Sequence, residues 1–371
     1  AILCALFAVL AILKTWELIE NIFKYLVNQR KQRLTDEAHN SLTNGFVEYI
    51  EGRFERSEKI LQKNIKYSDN RLLVYLIAAR AAQQLGAYER RDEYLRKAHL
   101  EAPDADIAIG LTKAELQLTH DQVEQALATL EQINSVTDNH PYVLRLLAKT
   151  YIQLEDWDTL KQMLPALKKH GKLSSENLLT FEIAVCNGQL SNLARNNDSM
   201  PMIDFWNATA SHLKAIPQVI EHYARELISV NAAGEAEKVL RRYLDKNWHE
   251  STIILYSELD VLVDNTQLET AESWLENHQQ NAWLLLALGK MCISRSLWGK
   301  ARNYLEASIS IRPMPENYLK LARLLEEHME EPAAAQEYYR QGLHLLAGDY
   351  GEDVLGNDFE RETPQLMVVK T

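Results

Sequence analysis

Apolar and polar positions divide the chain into three regimes. Residues 1–13, AILCALFAVLAIL, carry no polar side chain beyond Cys4. After them, charged residues fall at helical spacing among apolar ones. In the last stretch, from residue 348 onward, the helical period is lost. Thirteen helical residues cover about 20 Å, whereas a bilayer core needs about 20 residues. The first regime therefore predicts the end of a transmembrane helix that begins before Ala1. Trp16, Leu18, Ile19, Ile22, Phe23, Tyr25 and Leu26 continue it as an amphipathic stretch, with Trp16 where an interfacial aromatic belongs. Lys14, Lys24, Arg30, Lys31 and Arg33 outnumber Glu17 and Glu20, and this basic collar predicts that the chain beyond it faces the cytoplasm. A signal peptide fits poorly, because the basic residues come after the apolar run and no A-x-A site precedes the soluble part. A buried core helix is the plainer alternative.

The second regime repeats itself with a period near 34, which predicts pairs of antiparallel helices. The clearest copy is RLLVYLIAARAAQQLGAYERRDEYLRKAHLEAP at 71–103. Ala78, Ala79 and Ala82 give its first helix a small packing face, Gly86 makes the turn, and Tyr88 plugs the pair. Leu95 and Ala98 face the partner helix, and Pro103 closes the unit. On the plug position Phe54 and Tyr88 are 34 apart, Tyr88 and Val123 35, Val123 and Trp157 34, and Trp298 and Pro332 34. Ala126, Ala301 and Ala335 stand three residues after their plugs, where the helices need a small side chain to approach. Weaker copies fall around Glu221–Leu244, with Ala233 and Ala236, and around Leu255–His278. The register breaks at 168–216. The predicted fold is all-α: a tetratricopeptide-like helix-pair superhelix, or solenoid, preceded by an N-terminal transmembrane helix. Its parts are 1–33, the anchor end and juxtamembrane helix; 34–167, N-terminal repeats; 168–216, an irregular helical connection; 217–347, C-terminal repeats; and 348–371, a disordered acidic tail.

Composition narrows the function. Glycine (13) and proline (9) in 371 residues are too few for a turn-rich β fold. No glycine-rich phosphate loop occurs. A net charge of −12 disfavours nucleic acid as a partner. Cys4, Cys186 and Cys292 are far apart, with no CxxC, so a disulfide framework, a zinc ribbon and a c-type haem site are excluded. No G-x-S-x-G and no HExxH is present. These absences predict a protein that is not an enzyme and has no metal or catalytic residue.

The collar WELIENIF at 16–23 and the strings YIEGRFERSEKILQKN at 49–64, LIAARAAQQLG at 76–86, HPYVLRLLAKTYI at 140–152, WLLLALG at 283–289 and WGKA at 298–301 resemble the HemY family. These are inner-membrane tetratricopeptide proteins of gammaproteobacteria. The family has an N-terminal hairpin of two transmembrane helices, and here only the end of the second is present. The resemblance implies an association with a late step of haem biosynthesis, without an assigned chemical activity. An unrelated flavin enzyme shares the name, but this chain lacks the dinucleotide loop such an enzyme needs.

Stacked helix pairs present a concave surface lined by the first helix of each unit, and partners bind there. Inward positions in register include Leu76, Arg80 and Gln83, then Leu111, Glu115 and Leu118, then Tyr142, Arg145, Lys149 and Ile152. The candidate partner-binding residues are Arg80, Tyr142, Arg145, Lys149, Lys290 and Lys320, whose cations suit the carboxylates of a peptide terminus or of porphyrin propionates. Ordinary solvated surface charge is the competing reading. His39, His99, His120 and His140 fall near helix ends, where a histidine is ordinarily solvated or capping rather than an axial haem ligand. The leading expectation is a membrane-anchored scaffold at the bacterial inner membrane. It faces the cytoplasm, contacts lipid through residues 1–27 and recruits haem-biosynthesis enzymes. The alternatives are a tetrapyrrole carrier with haem or porphyrin as ligand, and an envelope-assembly adaptor.

Overall fold

The structure is a computed structural model that describes residues 2–63, 65–137, 139–259 and 266–347, except for the side chains of 2–15 and 17–22. Among the described residues there are helices and turns and no strand. They fall into two compact units, one of residues 1–156 with 165–172, the other of residues 157–164 with those from 173 onward.

The first unit holds α1 (Ile2–Ile50), α2 (Phe54–Gln62), α3 (Arg71–Gln84), α4 (Tyr88–Glu101), α5 (Asp106–Leu118), α6 (Val123–Val136) and α7 (Pro141–Gln153). The next helix, α8 (Trp157–His170), is divided between the two units. The second unit continues with α9 (Ser175–Ala194), α10 (Ser199–Ala208), α11 (Ser211–Lys214), α12 (Pro217–Ser229), α13 (Ala233–Leu244) and α14 (Glu250–Ser257). It ends with α15 (Thr266–Ser273), α16 (Leu275–His278), α17 (Ala282–Ser294), α18 (Trp298–Ile311), α19 (Pro315–His328) and α20 (Pro332–Ala347).

One local device turns these hairpins. Two residues before each plug, the backbone takes a positive φ. In the first unit this happens at Gly52 (78°), Gly86 (68°), Asp121 (58°) and Glu155 (54°), and in the second at Asn231 (60°), Ser296 (58°) and Glu330 (56°). The following N–H then donates to the carbonyl five residues back. Ala87 reaches Ala82 at 2.9 Å, Gln122 reaches Gln117 at 2.9 Å, Ala232 reaches Leu227 at 2.8 Å and Leu297 reaches Cys292 at 2.9 Å. This is the Schellman cap, which satisfies carbonyls that the helix end leaves free. The second helix starts immediately after it.

Packing follows the small-residue rule. Three positions after their plugs, Ser57, Ala126, Ala236, Ala301 and Ala335 are buried. The Ser57 hydroxyl donates to the Gly45 carbonyl across the first hairpin at 2.7 Å. The exceptions are Leu160 after Trp157, which is large yet fully buried, and Arg91 after Tyr88. Arg91 is 4% exposed, donates to Gln83 Oε1 at 2.8 Å and Gln122 Oε1 at 3.1 Å, and lies over the Tyr88 ring. Ala78, Ala79 and Ala82 of α3 are buried against Tyr94, Leu95 and Ala98 of α4, as their spacing predicts. In the second unit, the indole of Trp157 covers Gly188 of α9 so closely that a Cβ there would lie 2.1 Å from the ring.

The first helix is 49 residues long, about 74 Å at 1.5 Å per residue, and runs unbroken past residue 33, where the anchor was expected to end. Residues 23–33 are all exposed, whereas Ala38 and Leu42 are buried. Among the described residues no helix is long and apolar enough to cross a membrane. The side chains of the apolar run 1–13 lie outside the described residues, and so does the tail at 348–371. The stretch at 168–216 contains the regular 20-residue helix α9 and the short helices α10 and α11.

A left-handed residue costs a non-glycine side chain about 1 kcal/mol. Ser296→Gly should therefore raise unfolding stability by about 0.5–1 kcal/mol, and Gly86→Ala should lower it by about 1 kcal/mol. Denaturant unfolding followed by circular dichroism reads both. Shifts of the same sign at the two positions would contradict the turn assignment.

Candidate protein-binding face

The first helices of three consecutive hairpins, α3, α5 and α7, place their candidate residues in one connected group. The spacing explains why: Arg80, Glu115 and Lys149 each stand eight residues before their plugs Tyr88, Val123 and Trp157. Arg80 Nη2 donates to Glu115 Oε2 at 2.7 Å. The Tyr142 hydroxyl donates to the other oxygen, Glu115 Oε1, at 2.5 Å. The Arg145 guanidinium lies 5.4 Å from the centroid of the Tyr142 ring, and its Nη1 donates to the Gly171 carbonyl at 3.1 Å. Lys149 is exposed and forms no ion pair among the described residues.

Glu115 thus sits between two of the candidate residues and neutralises one of the cations. Its hydrogen bond, helped by burial, holds the Tyr142 phenol above the usual tyrosine range. Glu115 was an inward position in the repeat register but was not among the candidate binding residues. The signal that finds it is the register itself, with charges of alternating sign at one repeat position.

The other two candidates belong to the second unit. Lys290 on α17 is 11% exposed, with Nζ 2.9 Å from Glu258 and 3.1 Å from Glu316. Burial pulls its pKa down, but the two carboxylates outweigh that and leave it raised. Lys290 is therefore a clamp between neighbouring helices. Lys320 on α19 is half-buried and forms no ion pair among the described residues.

Chemistry that needs a reactive group finds little support. Cys186 and Cys292 are buried. Burial pushes both thiols up, Cys292 to about 11, so neither is a thiolate near neutral pH. His99 Nδ1 is 2.6 Å from Asp106 Oδ1, and His120 meets the edge of Tyr88. Among the described residues no three His, Cys, Asp or Glu side chains gather as a metal site.

Helix hairpins with plugs 34 or 35 residues apart, each turned by a left-handed residue, define a tetratricopeptide-type repeat protein. Its resemblance is to HemY. Residues 1–86 match the family described as HemY protein N-terminus. Protein HemY of Escherichia coli strain K12 is 24% identical over 322 residues, which cover 86% of this chain and 79% of that protein. Protein HemY of Shigella flexneri gives the same figures. The resemblance read from the local strings is therefore borne out. Among solved structures, Naa15/Naa10 bound to HypK-THB aligns with a TM-score of 0.40 and 14% identity, over 86% of this chain and 60% of that one. The chain thus spans less than two thirds of that neighbour. Yeast Tom70 aligns at 0.32 and 13%, over 85% of this chain and 69% of that one. Likeness of this degree carries no argument about function.

Glu115→Gln should lower the pKa of Tyr142 toward the ordinary value near 10. Alkaline difference absorbance at 295 nm, with Tyr142→Phe as the reference, measures it. The raised pKa contributes stability that is full below pH about 10 and is lost as pH rises through the folded-state value. The wild type should therefore lose more stability than Glu115→Gln across that window. An unchanged Tyr142 titration would mean that the Glu115 contact is absent in solution.

Proposed function

We propose that this chain is a non-enzymatic, membrane-anchored scaffold that docks haem-biosynthesis enzymes on the face formed by α3, α5 and α7. The observation that carries the reading is the continuity of α1. One helix begins in the apolar N-terminal run, passes through the exposed basic collar and packs as the first helix of the first hairpin. A hairpin built on the anchor helix is held near the bilayer without a flexible joint. Such tethering raises its effective concentration toward other membrane-bound proteins.

The similarity to HemY supports the haem-pathway assignment, and the basic collar supports an inner-membrane location with the repeats on the cytoplasmic side. The apolar run and collar at residues 1–27 are the lipid contact. On the docking face, Lys149 is the cation left to meet a partner carboxylate. Tyr142 and Arg145 form an aromatic–guanidinium surface of the type enriched in binding hot spots. Lys320 offers a further cation in the second unit.

A photo-crosslinking residue at Ile152, in the full chain within its native membrane, tests this. The expected product is a membrane-associated enzyme of tetrapyrrole synthesis, and Arg145→Ala with Lys149→Glu should reduce it by at least about fivefold. The same crosslinker at Glu93 should not give it. A product that appears equally at both positions, or that the double substitution leaves intact, would remove the face from the proposal.

A further inference from the structure

In the second unit, α10 to α13 enclose an open cleft of about 550 Å³, within the usual size range of small-molecule sites. Ile203, Ile220 and Val239 contribute apolar wall. Behind them Trp206 and Tyr223 stack with ring centroids 4.3 Å apart and planes 16° from parallel. Three cations border the cleft. Lys214 ends α11 and lies 5.7 Å from the centroid of the Trp206 ring, with Nζ donating to the Asn207 carbonyl at 3.1 Å. Arg242 and Lys246 come from the last turn of α13 and just beyond it.

None of the three has a carboxylate partner among the described residues. The neighbouring acids are taken up elsewhere. Glu235, also in the lining, pairs with Lys238 at 2.7 Å, and Asp245 accepts the indole N–H of Trp274 at 2.9 Å. A further polar group is unused. Tyr223 is 1% exposed, yet among the described residues its hydroxyl has no hydrogen-bond partner.

We propose that this cleft is a binding site for a flat, apolar dicarboxylate. The apolar and aromatic walls suit a planar hydrocarbon body. Cations from two separate elements, Lys214 at the end of α11 and Arg242 with Lys246 at the end of α13 and just beyond it, suit an acidic group at each end. The Tyr223 hydroxyl supplies a donor to one of them. An uncharged ligand would leave the cations unanswered, and a simple inorganic anion would leave the walls uncovered. The site shares no residue with the α3–α5–α7 face, so the scaffold reading stands or falls separately.

Isothermal titration of the full chain with naphthalene-2,6-dicarboxylate tests it. One saturable site is expected. Arg242→Glu with Lys246→Glu, both exposed positions, should weaken it by at least about tenfold. Tyr223→Phe should weaken it by about threefold while leaving the circular dichroism unchanged. Lys149→Glu with Lys320→Glu should leave it unaffected. The proposal is overturned by the absence of saturable heat, or by equal losses from the two charge-reversal pairs.

Discussion

The fold depends on one backbone conformation, a residue at positive φ two positions ahead of the second helix, which recurs in seven hairpins among the described residues. That residue lets the next N–H reach back five residues and cap the first helix, as at Ala87 to Ala82 and Leu297 to Cys292. The direction in which the second helix departs is then set. Its first side chain plugs the hairpin, and the residue three further on is pressed against the first helix. Because backbone groups make the cap, it tolerates Gly, Asp, Glu, Asn and Ser at the turning position. Hairpins with little sequence in common therefore keep one period.

Lateral contacts between hairpins are made with charges. Arg80 meets Glu115, Arg90 meets Glu58, Lys290 bridges Glu258 and Glu316, and Arg302 meets Glu331. Exposed pairs of this kind contribute about 0–1 kcal/mol each, so they do not hold the hairpins together. The buried alanines and leucines do that. Arg91 and Lys290 differ because they are nearly enclosed. Removing a partner there would leave a charge out of water, which costs far more than a surface pair contributes.

The plugs at Phe54, Tyr88, Val123, Trp157, Trp298 and Pro332 were legible in the sequence because bulk recurs there at a fixed spacing. Gly52 and Gly86 marked two turns because glycine is the ordinary left-handed residue. Glu155, Ser296 and Glu330 carried no such mark, since neither residue type favours positive φ and only the surrounding cap imposes it. Arg91 was invisible for a related reason. A charged residue at a small-residue position reads as a break in the pattern until Gln83 and Gln122 are seen to satisfy it. The candidate face was legible as a set of register positions, but its electrostatics were not. Which cation Glu115 neutralises depends on how adjacent first helices are spaced, and a one-dimensional period does not contain that distance. The α10–α13 cleft straddles the end of the stretch where the register broke and the weak copy at Glu221–Leu244, so the repeat offered only a poor frame for reading its cations.

Charge therefore has two uses in this acidic chain. Several cations, Arg80, Arg90, Lys290 and Arg302 among them, are taken up within the fold between helix hairpins, and a partner could reach those only by displacing a carboxylate already in place. Others have no carboxylate partner among the described residues, including Lys149 on the first-unit face, Lys320 on α19, and the trio Lys214, Arg242 and Lys246 around the cleft. A chain of net charge −12 repels acidic partners at long range, so an anion that binds must do so by short-range contact. The collar, proposed as the lipid contact, offers its cations along an exposed helix with aromatic neighbours. The cleft offers them with an apolar interior, as a small ligand requires. Lys149 stands beside an aromatic–guanidinium pair, where a protein side chain can bury apolar surface and place one carboxylate. The three environments differ in how much apolar surface accompanies the cation, and in the proposed roles that difference would sort a lipid, a small molecule and a protein among them.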